Sequence, residues 1–216
     1  MARVVSPEMS ERFRRKHEEI GTKIHLGNGV TEVTENGIVL ADGTKIPADL
    51  VLLAAGVCPN VELAEAAGLA TANGIVVDET LRTADPRIFA MGDCCAFPDP
   101  RSGAMIRLES VQAATDHARC IARAITTGEG QRYSVVPWFW SDQADWKLQI
   151  AGLAGPDDTC VPEGNHTVLR FSALGLTAVE TINDAKTHMK ARKLLAQDVV
   201  PSHDFLEQRN YDLTAL

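Results

Sequence analysis

The residues best placed to do chemistry are Gly92 and Asp93, which directly follow the apolar stretch 88–91. We interpret that stretch as a buried strand, and a parallel strand delivers its carboxyl end to the crevice in which α/β proteins bind ligands. A glycine lets the backbone approach a ligand closely, and a carboxylate accepts strong hydrogen bonds from hydroxyl groups. The pair therefore predicts a site for a ligand that carries hydroxyl groups. The alternative is that Asp93 caps the following turn.

A long helix is predicted soon after this pair, from about residue 109 to 125, and Gly128 closes it. Its start contains Glu109 and Ser110. A helix N-terminus carries partial positive charge and N–H groups without partners, so it favours an electron-rich ligand. The alternative is a plain amphipathic surface helix. Its apolar residues recur at steps of three and four, at Val111, Ala114, Ala118, Ile121 and Ile125.

Three tryptophans, at positions 138, 140 and 146, lie within nine residues. We expect Trp138 and Trp140 to point to opposite faces of a strand, one into the core and the other toward a cofactor or partner. An ordinary hydrophobic plug is the alternative. Arg119 and Arg123 are one turn apart and share a face of the predicted helix. They either meet an acidic partner or form a solvated charged surface.

Three segments resemble the FAD-dependent ferredoxin reductases of bacterial cytochrome monooxygenases and aromatic-ring dioxygenases. TADPRIFAMGD at 83–93 resembles the TxxPxIFAxGD flavin motif of flavoproteins with two dinucleotide-binding domains. ADLVLLAAGVCPN at 48–60 resembles their crossover from the NAD domain to the FAD domain. PWFWSDQ at 137–143 resembles a signature of the ferredoxin reductases themselves. Disulfide reductases carry a catalytic His-Pro, and no histidine of this sequence precedes proline.

The resemblance implies an oxidoreductase with FAD and NAD(P)H as cofactors and a two-iron ferredoxin as partner. Hydride passes from nicotinamide to flavin, and single electrons leave to the ferredoxin. No acid–base residue is assigned, because the flavin does the chemistry. Asp93 holds the ribityl chain, and Trp138 belongs to the core. The implied ferredoxin-binding residues are Arg119, Arg123 and Trp140. The implied cofactor-binding residues are Gly56, Gly92, Asp93, Glu109, Ser110, Val111 and Trp140.

The implied fold is α/β, a partial FAD/NAD(P)-binding fold with two dinucleotide domains and a C-terminal α+β interface domain. We place the remainder of the NAD(P)-binding domain at 1–55. The returning part of the FAD-binding domain then spans 56–130, and the interface domain with its antiparallel sheet spans 131–216. Ser6 and Pro7 predict the start of a first helix, and Asp184 caps a last one. Strands are predicted at 23–26, 50–55, 75–77, 88–91, 147–151, 167–171 and 177–182.

The sequence contains neither of the two GxGxxG loops that hold the pyrophosphate groups in this family. Glycine pairs at 27/29 and 128/130 lack the third glycine. The chain therefore resembles the C-terminal half of a reductase, and we expect it to bind FAD weakly by itself. We also expect unpaired strand edges to associate with a missing N-terminal half or with another copy. A truncated product, a misassigned start codon and a natural split protein all remain open.

Composition excludes some function classes. The 216 residues carry a net charge of −8, which argues against nucleic acid, since phosphates require a basic surface. No apolar run approaches the 18 residues of a membrane span. The five cysteines form no CxxC pair, so we expect reduced thiols, a cytoplasmic protein and no metal. Two alternatives remain: a cofactor-free α/β interaction module, and a related flavin reductase with another acceptor such as monodehydroascorbate.

Overall fold

The structure, a computed structural model, describes residues 4–216, which divide into two compact units between Cys58 and Pro59. The first unit contains helix α1 (Pro7–Glu19) and an antiparallel sheet of β1 (Val30–Thr34), β2 (Gly37–Leu40) and β3 (Lys45–Pro47). Ser6 caps α1 by accepting a hydrogen bond of 3.1 Å from the Met9 amide, and Pro7 is the first helical residue. The predicted start of this helix is confirmed.

The second unit contains two sheets and four helices. The first sheet is formed by β4 (Thr71–Ala72), β5 (Gly74–Val76), β6 (Cys95–Pro98) and β7 (Met105–Arg107). The second is formed by β8 (Trp138–Gln143), β9 (Trp146–Gly152), β10 (Thr159–Glu163), β11 (Thr167–Ser172) and β12 (Gly175–Ile182). The helices are α2 (Glu62–Ala66), α3 (Val111–Thr127), α4 (Ala185–Leu195) and α5 (His203–Glu207). Short 3₁₀ turns lie at Gly92–Cys94 and Leu213–Ala215.

The five-stranded sheet is entirely antiparallel, in the order β10-β11-β12-β9-β8. Its buried side chains pack against α4, α5 and the last turn, around Leu169, Leu176, Val179 and Leu195. The Asp184 carboxylate caps α4 by accepting from the Thr187 amide at 3.0 Å. The predicted antiparallel C-terminal sheet and the α/β class are confirmed. The domain boundaries near 55 and 130 stay predictions.

The four-stranded sheet is mixed, because β5 and β6 run parallel while its other pairs are antiparallel. Phe97 of β6, Leu81 and Tyr133 form a buried cluster with Ile121 of α3. This packing fixes α3 against the strands and against the 3₁₀ turn at Gly92–Cys94, which we call the Gly92 turn. No helix among residues 4–216 is long and apolar enough to cross a membrane.

Three predicted strands do not form, at 23–26, 50–55 and 88–91. Residues 50–55 form no regular structure and are exposed, and Leu52 is 87% accessible. Residues 88–91 make only one bridge, between Arg82 and Phe89. The predictions for 50–55 and 88–91 are wrong because an apolar strand of a parallel sheet needs neighbours on both sides. The residues described here supply none for 50–55.

Helix α3 forms where it was predicted and ends at Gly128, whose φ of +75° gives the left-handed cap. The predicted apolar face is displaced, however. Val111 is 67% exposed and Ile125 is also exposed. Two polar residues can lie on the inner face because each has a hydrogen-bond partner there, as described below. The side chains that face inward are Gln112, Ala113, His117, Ile121 and Ala124.

Candidate functional site

The Gly92 turn requires glycine because of its backbone conformation, and it packs closely on α3. Its φ is +69°, in the left-handed region that side chains rarely adopt. A Cβ at this position would also lie 3.5 Å from the Cβ of Ala114 in α3. The backbone of the turn is thus packed directly on the first turns of the helix, which places Asp93 beside the start of α3.

A buried histidine, His117, supports the Gly92 turn from the interior of the protein. The Gly92 amide donates a hydrogen bond of 3.1 Å to Nδ1 of His117. The imidazole contacts two aromatic rings edge to face, with centroid distances of 5.0 Å to Phe97 and 4.5 Å to Tyr133. Burial lowers the pKa of His117 to about 4, against a weaker opposing effect of Asp116. The ring is therefore neutral at pH 7, with Nδ1 as the acceptor.

Sequence reasoning missed His117. Its signal was a spacing: Ala113, His117, Ile121 and Ala124 follow one another at steps of four, four and three. This row is as regular as the apolar row that the prediction used. A histidine within it is compatible with burial if one ring nitrogen finds a partner.

Asp93 directs its backbone inward and its carboxylate outward. The Asp93 carbonyl accepts a hydrogen bond of 2.9 Å from Arg107. Arg107 also pairs with Glu109 at 2.8 Å and donates to Asn73 at 3.2 Å, so it joins the turn to the segment that leads into α3. The Asp93 carboxylate is exposed and has no hydrogen-bond partner among residues 4–216. The alternative in which it caps the next turn is therefore not observed.

The first turn of α3 is capped locally. Ser110 accepts a hydrogen bond of 3.1 Å from the Ala113 amide. Arg107 and Ala114 thus bring Gly92, Asp93, Glu109 and Ser110 together around one helix start. The sequence analysis assigned these same four residues to one site. Gly56 belongs to the first unit, in the exposed segment 50–57, and its role stays a prediction.

Trp138 and Trp140 lie on the same face of β8, with ring centroids 5.2 Å apart. The expectation of opposite faces is wrong, because side chains two residues apart in a strand share a face. Trp140 is 41% exposed and Trp138 is half-buried. Two residues of α4 that sequence reasoning missed contact Trp138. The Arg192 guanidinium lies 4.7 Å above its ring, and the His188 ring lies 5.8 Å away.

One side chain connects β8 to α3. The Trp138 amide donates to Oε1 of Gln112 at 3.3 Å, and Gln112 in turn donates to the Asp116 carboxylate. On the outer face of α3, Arg119 pairs with Asp116 at 3.1 Å and is 75% exposed. Arg123 is exposed one turn later. The helix therefore presents two cations outward and the Trp138 contact inward.

The structure combines an α/β fold with a glycine turn packed on a helix start, and comparison with known families defines the class of the protein. The chain belongs to the pyridine nucleotide-disulphide oxidoreductase family, whose model matches residues 1–118. A second model, described as the reductase C-terminal domain, matches residues 138–216. The family resemblance inferred from the sequence is confirmed.

Known reductases are similar to the chain along its length. Rhodocoxin reductase of Rhodococcus erythropolis is 42% identical over 99% of the chain and 52% of its own length. The ferredoxin reductase for the CYP199A2 system of Rhodopseudomonas palustris superimposes with a TM-score of 0.92 at 44% identity, covering 100% of the chain and 55% of that structure. The covalent putidaredoxin reductase–putidaredoxin complex gives a TM-score of 0.88 at 34% identity, over 99% of the chain and 54% of that structure. The chain spans about half the length of the curated relatives it matches.

Proposed function

We propose that the chain is the flavin-side and partner-side part of an NAD(P)H:ferredoxin reductase that contains FAD. The observation that carries this proposal is the Gly92 turn, where an exposed carboxylate without a partner lies beside the start of a 17-residue helix. The similar proteins are named as a rhodocoxin reductase, a ferredoxin reductase subunit and a ferredoxin–NAD(+) reductase component.

The residues of the turn fit the ribityl side of a flavin. Gly92 brings the backbone close without a side chain, and the Asp93 carboxylate is free to accept hydrogen bonds from hydroxyl groups. The start of α3, at Ser110 and Val111, offers partial positive charge to the electron-rich edge of the ring system. Bound FAD supplies the exchange between two-electron and one-electron transfer, and the protein positions and tunes it. Glu109 completes the proposed cofactor-binding set of the second unit, and the role of Gly56 in the first unit is proposed from the sequence motif alone.

We place the ferredoxin on the surface that contains Trp140. Its indole is exposed on the edge strand β8, and Trp138 beneath it is covered by Arg192. Arg119 and Arg123 add positive charge on α3 within a chain of net charge −8. These local cations attract an acidic partner even though the chain is acidic overall. At physiological salt the Debye length is about 8 Å, so carboxylates farther than this from the docking surface contribute little.

Two structural proposals accompany this function. The domains keep the boundaries predicted from the sequence, at 1–55, 56–130 and 131–216. The exposed apolar segment 50–57 pairs with strands from a further polypeptide, either the N-terminal half of a reductase or a second copy of this chain. NAD(P)H would reach the flavin only in such an assembly, because no GxGxxG loop is present in these 216 residues.

Equilibrium dialysis of the 216-residue chain against FAD tests the proposed function. We expect weak but saturable binding, and Asp93→Asn should weaken it by about tenfold, since it removes a charge-assisted hydrogen bond. Asp198→Asn is the matched control, because it neutralises another exposed carboxylate. Equal affinity in the two variants would remove Asp93 from the site. Absence of FAD binding by the unmodified chain would favour the cofactor-free interaction module instead.

A further inference from the structure

We propose that His117 is a positioning residue that fixes the Gly92 turn through the unprotonated Nδ1 of its imidazole. The inference rests on the proposed function for its link to the flavin. Its structural part concerns only residues of this chain. No residue of the turn itself supplies the acceptor for the Gly92 amide, which instead comes from a side chain 25 residues away in sequence.

The hydrogen bond defines the tautomer. Because the Gly92 N–H is the donor, Nδ1 must carry a lone pair, and the proton of the neutral ring resides on Nε2. Nε2 is buried and has no partner among the residues that the structure describes. Burial of an N–H group without a partner costs about 1–3 kcal/mol. A side chain needed only to fill this space would be apolar, so the imidazole is present for its other nitrogen.

The surroundings keep the ring in one orientation. Phe97 and Tyr133 contact it edge to face, and their own rings lie 5.3 Å apart at a similar angle. The three rings form a closed aromatic cluster under the turn. These contacts hold the plane of the imidazole, and the hydrogen bond from the Gly92 amide to Nδ1 distinguishes the two ring orientations that share this plane.

The consequence for the site follows from the position of Gly92. Its amide lies one residue before Asp93, and its φ of +69° aims the following peptide. Loss of the acceptor leaves a buried amide unpaired, which favours a different turn conformation. The Asp93 carboxylate then no longer points to one place, although its own chemistry is unchanged. His117 thus acts through the turn and not by contact with a ligand.

A matched pair of variants tests this role, namely His117→Asn and His117→Leu. Asn Oδ1 occupies the same place along the side chain as Nδ1, so it can accept from the Gly92 amide. Leu has a similar size without an acceptor. Leu is also the better helix former, so a loosened turn in the Leu variant cannot result from fraying of α3. Tyr133→Phe is the control, because it keeps the ring and changes only a hydroxyl in the same cluster.

Two measurements on the full 216-residue chain decide the structural part. Nitrogen-15 NMR should show His117 as the Nε2–H tautomer at pH 7. Hydrogen exchange of the Gly92 amide should accelerate by about tenfold or more in His117→Leu but stay within about twofold of the unmodified chain in His117→Asn. An Nδ1–H tautomer, or equal exchange in the two variants, would overturn the proposal. Circular dichroism at the same temperature verifies that each variant is folded.

FAD dialysis then tests the link to the flavin. We expect His117→Leu to weaken FAD binding by about tenfold, with His117→Asn and Tyr133→Phe close to the unmodified chain. Equal affinity of all four proteins would show that the turn does not position Asp93 for the flavin, which overturns that part. If none of the four binds FAD, the proposed function fails, while the exchange comparison still decides whether His117 holds the turn.

Discussion

Two stretches of this chain adopt opposite environments, and the exposed one is the more hydrophobic, since residues 50–55 are all apolar whereas β11 contains Thr, Arg and Ser. In β11 five of six residues are buried, and the strand is paired on both sides by β10 and β12. Residues 50–55 are all exposed and belong to no sheet. The difference shows that hydrophobic content alone does not bury a strand. Neighbouring strands and covering helices are required as well.

The largest expected effect contrasts one leucine from each stretch. Leu169 of β11 is fully buried, whereas Leu52 is 87% exposed. Leu169→Ala should lower the free energy of unfolding by about 3 kcal/mol, because it leaves a cavity in a packed core. Leu52→Ala should change it by less than about 0.5 kcal/mol. Urea unfolding followed by circular dichroism measures both. Similar losses in the two variants would mean that residues 50–55 are buried in solution.

For each buried histidine of the second unit, acidification should lower the free energy of unfolding by a smaller amount than Leu169→Ala does. The pKa of His117 and that of His188 are each lowered to about 4 by burial, with the charge of Arg192 adding to the effect at His188. Below about pH 6.5 the unfolded chain therefore binds protons that the folded second unit does not. The free energy of unfolding should fall by about 2 kcal/mol per histidine between pH 7 and pH 5, and level off below pH 4.

His188→Leu provides the measurement for this acid-linked loss. The variant should lose about 2 kcal/mol less stability than the unmodified chain between pH 7 and pH 5. His25→Leu is a suitable control, because His25 is exposed in the first unit. An unchanged pH dependence in His188→Leu would show that the imidazole is not held neutral in the folded protein.

The smallest expected effect is on stability, for charged substitutions in residues 50–57. These substitutions should change self-association without changing the folding of the chain. Leu52→Lys combined with Leu53→Lys should leave the unfolding midpoint unchanged, since both side chains are exposed. The same change should reduce self-association of the chain, because charged residues oppose pairing of an unprotected edge. Light scattering over a concentration series measures it. A monomeric unmodified chain would contradict pairing of residues 50–57 with a second copy of this chain.

The parts that the sequence predicted correctly depend on local interactions. Ser6 and Asp184 cap their helices as expected, because a capping side chain needs only the next three residues. The antiparallel strands β9, β11 and β12 form because they are close in the chain and most of their side chains are covered. The grouping of Gly92 and Asp93 with Ser110 followed from the family motifs.

The predictions that were wrong depend on which residues pack against a given residue in the folded protein. Residues 50–55 and 88–91 have the pattern of buried strands, but 50–55 lacks neighbouring strands among residues 4–216, and 88–91 makes a single bridge, between Arg82 and Phe89. Trp138 and Trp140 were assigned to opposite faces, although the two-residue period of a strand puts them together. His117 was missed since only its contact with Gly92, 25 residues away, explains a buried imidazole.

The contact between Gln112 and the Trp138 amide has a consequence for protein engineering. It is a side-chain connection between α3 and the first residue of β8, at 3.3 Å. Grafting residues 138–216 onto another member of the family would transfer the Trp138 amide donor without its acceptor, Gln112. A recipient with an apolar residue at the position of Gln112 would start the grafted sheet with an unsatisfied amide. A segment exchanged between family members should therefore begin before α3, so that it includes both Gln112 and the sheet that Gln112 contacts.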